Sequence, residues 1–176
     1  MTAGVSLEVM PTAPGRPPRR AWVVWLVGLA AYTVAVFHRS SLGVAAVPAQ
    51  ERFDTGASAV ALFLVLQLTV YAALQIPVGL ALDRYGSRRL LVAGALTMAA
   101  GQLVLALAGD VPTAVAARVL VGTGDAMTFI SVLRVVASWF PGRTVPLVTQ
   151  LTGLLGQVGQ IVAAYPLVAL LGGASW

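Results

Sequence analysis

The sequence predicts an all-α, polytopic membrane protein with five transmembrane helices, and three observations carry that prediction. Mean hydropathy is +0.89, with 59% hydrophobic and only 10% charged residues, where a soluble domain carries about 25% charge. Apolar runs that reach the roughly 20 residues needed to cross about 30 Å of hydrocarbon recur five times. The arginines punctuate the ends of these runs rather than massing on one soluble face, so membrane topology explains the net charge of +5 better than nucleic acid does.

Residues 1–20 hold Pro11, Pro14, Gly15, Pro17 and Pro18 with Arg16, Arg19 and Arg20, the composition of a disordered basic tail. The apolar run behind it is longer than a signal-peptide core and no small-residue cleavage site follows, so the tail reads as retained. The first span is expected over about 21–47, anchored at the interface by Trp22 and Trp25 and interrupted by His38-Arg39-Ser40-Ser41. A loop over about 48–56 carries Glu51, Arg52 and Asp54, and a second span is expected over about 57–82. The polar turn Asp83 to Arg89 leads into a third span over about 90–108, and Gly109-Asp110-Val111-Pro112 makes the next turn. The fourth span is expected over about 113–140, closed by Pro141-Gly142, the fifth over about 145–171, and residues 172–176 read as a truncated loop. Arg16, Arg19, Arg20, Arg84, Arg88, Arg89 and Arg143 fall on one side and Arg52 alone on the other. That asymmetry puts the amino terminus inside, in a cytoplasmic (inner) membrane.

Polar side chains within the spans are the candidate functional residues, because hydrocarbon tolerates them only against a cavity or a partner. Arg39 leads: its planar fork suits a carboxylate, with a structural ion pair as the alternative. Asp125 lies near the middle of the fourth span, and Arg118 lies seven residues earlier on nearly the same face. Burial and a nearby arginine pull the proton affinity of Asp125 in opposite directions. An arginine that moves toward or away from it therefore loads and releases a proton; a static packing network is the alternative. Tyr71 and Gln75 share a face of the second span, and Tyr32 shares a face with Arg39. Gln150, Gln157 and Gln160 form a stripe that lines a path or bonds a neighbour, while Gly153, Gly156 and Gly159 suit close packing. Arg134, near the surface, is placed to pair with Asp83. There is no Cys, no HExxH and no GxSxG, and Gly122-x-Gly124 lacks the third glycine and the strand of a dinucleotide loop. No enzyme, cofactor or metal is expected.

The turn pattern Gly79-x-x-x-Asp83-Arg84-x-Gly86-x-Arg88-Arg89 resembles the signature between helices 2 and 3 of the major facilitator superfamily. Arg118-Val-Leu-Val-Gly122-Thr-Gly124-Asp125 is similar to that superfamily's helix 4 motif. His38-Arg39-Ser40-Ser41-Leu42 and Tyr71-x-x-x-Gln75-Ile76-Pro77-x-Gly79 resemble patterns of its anion:cation symporter family, with His38 where that family carries an acid. The resemblance implies an incomplete amino-terminal six-helix bundle, lacking a carboxyl-terminal partner bundle. It also implies proton-coupled symport of a small organic anion by alternating access as part of a longer protein, within membrane lipid and without nucleic acid. Arg39, Tyr71, Gln75 and Tyr32 are then the substrate-binding residues, and Asp125, His38 and Arg118 the proton-coupling ones; an imidazole titrates near neutrality and still carries a proton. Gly79, Asp83, Arg84, Gly86, Arg88, Arg89 and Arg134 become a conformational latch, with Gly79 and Gly86 permitting close helix approach and a sharp reversal. Export of a drug or metabolite against protons is the neighbouring alternative, and a truncated, non-transporting fragment the alternative of another class.

Overall fold

The computed structural model describes residues 17–171, with side chains through 164. The expected tail over 1–16 and terminal loop over 172–176 lie outside the described residues. Eight helices follow one another: α1 (Arg19–Val44), α2 (Ala46–Phe53), α3 (Ala57–Ala73), α4 (Gln75–Tyr85), α5 (Ser87–Leu107), α6 (Val111–Trp139), α7 (Val145–Gly156) and α8 (Val158–Leu171). The described residues contain no strand, and the architecture is an all-helical membrane bundle. Four segments are long and apolar enough to cross a membrane: α1, α5, α6 and the α7–α8 rod over 145–164; a fifth is counted if α2 and α3 form one span.

The expected first and second spans are each interrupted, and proline supplies the reason in both. Pro48 is the third residue of α2 and Pro77 the third of α4. A proline lacks the N–H for the carbonyl four residues earlier and its ring crowds that carbonyl, so the helices break at Ala45 and at Leu74. The stretch expected to be a loop is therefore mostly α2, which leaves α3 at 112°. It is helical because Ala49 and Phe53 are buried on one side of it, and Phe53 meets Phe63 edge to face at 6.2 Å. The chain then reverses through Asp54, whose φ of 46° is left-handed. Arg19 and Arg20, expected in the tail, form the first turn of α1.

Helix α6 is the centre. It packs against α1, α3, α4, α5 and α7, and its contact with α5 is the most extensive in the molecule. Glycines make that contact possible: a Cβ on Gly94 would come within 2.9 Å of the Gly124 carbonyl, and one on Gly101 within 3.0 Å of the Ala117 carbonyl. Apolar clusters close both ends of the bundle. Trp25, Val136, Phe140 and Val148 pack together at the amino-terminal end, and Leu42, Phe53, Phe63, Leu105 and Ala114 at the other. Between these two seals lies the polar interior.

Candidate functional site

Asp125 stands at the midpoint of α6 and is fully buried. Its Oδ2 accepts from Nη1 of Arg39 on α1 at 3.2 Å, and the Arg39 side chain retains 23% exposure. The sequence around Asp125 explains how three neighbours reach it. Gly122 lies against the Gln67 carbonyl of α3, where a Cβ would come within 2.6 Å, and Gly124 lies against Gly94 and Met98 of α5. These two glycines seat α6 between α3 and α5, and the next residue, Asp125, is presented to α1. Asp125 Oδ1 has no hydrogen-bond partner among the described residues.

Tyr71 closes one side of this centre. It is half-buried, close enough to Asp125, Arg39 and Tyr32 to interact with them electrostatically, and both tyrosines pack on Phe129, at 5.3 Å for Tyr32 and 6.4 Å for Tyr71. Four residues chosen from sequence, Arg39, Asp125, Tyr71 and Tyr32, therefore share one neighbourhood. Gln75, the first residue of α4, stands beside it with its amide donating to the Tyr71 carbonyl of α3 at 3.2 Å, across the break at Leu74. Tyr32 is buried, and its ring lies directly on Gly156 of α7.

Arg118 and Asp125 are not paired with each other. The Arg118 Nη1 donates at 3.1 Å to Oε1 of Gln67, and both side chains are buried. Arg118 Nε and Nη2 and Gln67 Nε2 have no partner among the described residues. Shared helical face does not bring two side chains together when neighbouring helices supply nearer partners. His38 is half-buried, within electrostatic range of Arg118 and edge-on to Phe37 at 5.7 Å. It also lines a cavity of about 260 Å³ among α1, α5 and α6, with Ala35, Met98 and Thr128.

The turn between α4 and α5 lies apart from this centre. Gly86, with φ of 78°, is where the chain reverses, a conformation that favours glycine. Gly79 has open space around it and makes no close helix approach, contrary to expectation. Arg134 Nη2 donates to Asp83 Oδ1 at 2.7 Å, joining α6 to α4. Arg84 lies 5.4 Å from the Tyr85 ring centroid, and Arg88 and Arg89 both border a groove at the start of α5. Of the glutamine stripe, Gln150, Gln157 and Gln160 are all exposed, and Gln157 occupies the α7–α8 junction. The glycines divide: Gly156 and Gly159 pack on Tyr32 and Thr33, whereas Gly153 has nothing near.

Three polar residues escaped sequence reasoning. Gln67 lies four residues before Tyr71 and eight before Gln75, so the same spacing that joined those two already pointed to it. Gln102 of α5 reaches the His38 turn, with Nε2 donating to the His38 carbonyl and to Ser41 Oγ, each at 3.2 Å. Thr152 Oγ1 accepts from Trp25 Nε1 at 2.8 Å across α7 and α1; the sequence marks Trp25 only as an interface anchor, and the apolar residues around Thr152 give no signal for the contact. The sequence model of the Major Facilitator Superfamily matches residues 28–176. No curated protein matches the chain.

Proposed function

This chain belongs to the Major Facilitator Superfamily of membrane transporters, and we propose that it serves proton-coupled symport of a small organic anion by alternating access. The Arg39–Asp125 pair carries the reading. A guanidinium stays charged at any accessible pH, so Asp125 and an incoming carboxylate compete for one fork. Protonation of Asp125 weakens its hold on Arg39 and frees the fork for the anion. Departure of the anion restores the pair and expels the proton. Each half of that exchange requires the other, which is the condition for coupling.

Around this exchange, Tyr71 and Tyr32 line the anion's position, and Gln75 of α4 steadies Tyr71 across the α3–α4 break. His38 and Arg118 form a second proton-linked group, held by Gln67. The Asp83–Arg134 pair, with Gly79, Arg84, Gly86, Arg88 and Arg89, acts as a latch at the cytoplasmic side. The arginine asymmetry supports an inner-membrane location with the amino terminus inside. The chain transports and does not catalyse, and a second helix bundle supplies the opposing wall.

The test is uptake of radiolabelled organic acids by cells that express the complete gene product, with an imposed pH gradient. Arg39→Ala is expected to abolish uptake while the protein remains inserted. Asp125→Asn is expected to keep anion exchange but lose accumulation driven by the gradient. Wild-type accumulation in both variants sinks the site assignment, and counterflow of lipophilic cations in place of anions selects export of a drug or metabolite.

A further inference from the structure

We propose that Gln102 is a positioning residue, holding the Arg39-bearing turn of α1 against α5 independently of the Arg39–Asp125 ion pair. Release of Arg39 from Asp125 then frees a side chain rather than the end of a helix. This deepens the transport reading above and rests on it.

The amide of Gln102 donates to two acceptors that bracket Arg39 in the chain, the His38 carbonyl and Ser41 Oγ, and Ser41 Oγ itself donates to the same carbonyl at 2.8 Å. The three groups form a closed triangle around one helical turn. A side-chain amide within a membrane helix is costly unless bonded, so this arrangement satisfies Gln102 at the same time as it grips α1. Among the described residues no other side-chain hydrogen bond joins α1 to α5. The packing between these helices is also sparse beside that of α1 with α6 or α8.

What Gln102 stands on matters as much as what it holds. Helices α5 and α6 are locked by Gly94, Gly101 and Gly124, so they form one platform. The Arg39 turn is clipped to that platform twice, by Asp125 of α6 and by Gln102 of α5. The first clip carries charge and titrates; the second is neutral and does not. Beyond Arg39, α1 ends at Val44, and of that short stub only Leu42 is buried, which leaves little helix to steady the turn from the other side. With the charged clip open, the neutral one keeps Arg39 at the site.

The chain has no cysteine, which makes a direct gauge available. In the full-length chain in membranes, the double variant Arg39→Cys/Asp125→Cys removes the ion pair and reports the α1–α6 separation through crosslinking by a short bifunctional thiol reagent. Crosslinking is expected to be efficient with Gln102 present and to fall about 3- to 10-fold in Gln102→Leu and Gln102→Met, the range of one or two interhelical membrane hydrogen bonds. Ser41→Ala, which leaves the His38 carbonyl in place, loses less. Unchanged crosslinking in Gln102→Leu overturns the proposal, and so does full crosslinking in Gln102→Met, which fills the space without a hydrogen bond. A second gauge, Trp25→Cys/Thr152→Cys, is expected to crosslink equally with and without Gln102. Loss of both gauges assigns Gln102 to general stability and also overturns the proposal. The gauges read geometry alone, so wild-type uptake by Arg39→Ala sinks the transport reading while leaving the Gln102 result standing.

Discussion

Two ion pairs of the same chemistry, each an arginine and an aspartate joining α6 to another helix, occupy opposite settings. The Arg134–Asp83 pair is the shorter, at 2.7 Å, with side chains 54% and 63% exposed; the Arg39–Asp125 pair spans 3.2 Å, with 23% and 0%. Distance ranks them one way and energetics the other. Water screens the exposed pair, and such pairs contribute about 0–1 kcal/mol. The buried carboxylate has lost its hydration, so removing its partner costs about 3–5 kcal/mol. A pair that opens for little suits a latch that cycles with each conformational change. A pair that opens only for a proton or a competing anion suits a switch.

The strongest way to break this contrast is to remove one member of the buried pair. Arg39→Ala, which strands Asp125 in the interior, is expected to lower stability by about 3–5 kcal/mol, read from unfolding of the purified chain by tryptophan fluorescence. Arg39→Met combined with Asp125→Leu is expected to recover most of that loss. A loss under about 1 kcal/mol for the single variant would erase the difference between the two pairs. Next comes the seam between α3 and α6. Gly122→Val drives a side chain into the Gln67 backbone and is expected to cost about 1–3 kcal/mol by overpacking, with Arg118 pulled off Gln67. Replacing Gln67 by Leu in the wild-type background tells whether the lost Arg118 bond or the widened seam dominates.

The exposed pair defines the lower end. Asp83→Asn is expected to change stability by less than about 1 kcal/mol, and that small effect is expected to shrink as salt screens it. A salt-independent loss as large as that of the buried pair would refute the assignment of Asp83 to a screened surface contact. The smallest effect belongs to a third carboxylate, Asp110, the amino-terminal cap of α6. It accepts from the Thr113 backbone N–H at 2.8 Å and from the Thr113 hydroxyl at 3.1 Å. These bonds, the backbone one foremost, hold its carboxyl below the ordinary carboxylate range. The cap therefore contributes stability above the unfolded-state pKa and loses it as pH falls through the lowered folded value. Melting curves of wild type and Asp110→Ala are expected to differ at neutral pH and to converge toward about pH 2; a gap that persists in acid removes ionisation from the explanation.

The same contrast separates what the sequence disclosed from what it concealed. Hydropathy made the crossings legible because each must satisfy the bilayer by itself. Arg39 and Asp125 were legible as well, since a charge in hydrocarbon demands a reason. Their pairing was not, because partner choice across helices depends on glycines: Gly122 and Gly124 decide how near α3 and α5 approach α6, and hence that Arg118 meets Gln67 while Asp125 meets Arg39. Pro48 and Pro77 were visible, yet α2 read as a loop because Glu51, Arg52 and Asp54 mask the burial of Ala49 and Phe53. Gly79 was assigned a close approach from its place in a motif, and the space around it is open.

The glycine seam between α5 and α6 also orders the making of the molecule. Its two helices are consecutive and joined by a short turn, so they dock with little loop-closure entropy. Helix α1 is synthesised first but takes its main partners, α6 and α8, from later in the chain. Arg39 therefore enters the membrane before Asp125 exists. For that interval of biogenesis a lone guanidinium awaits its counter-ion, which the arrival of the α5–α6 hairpin supplies.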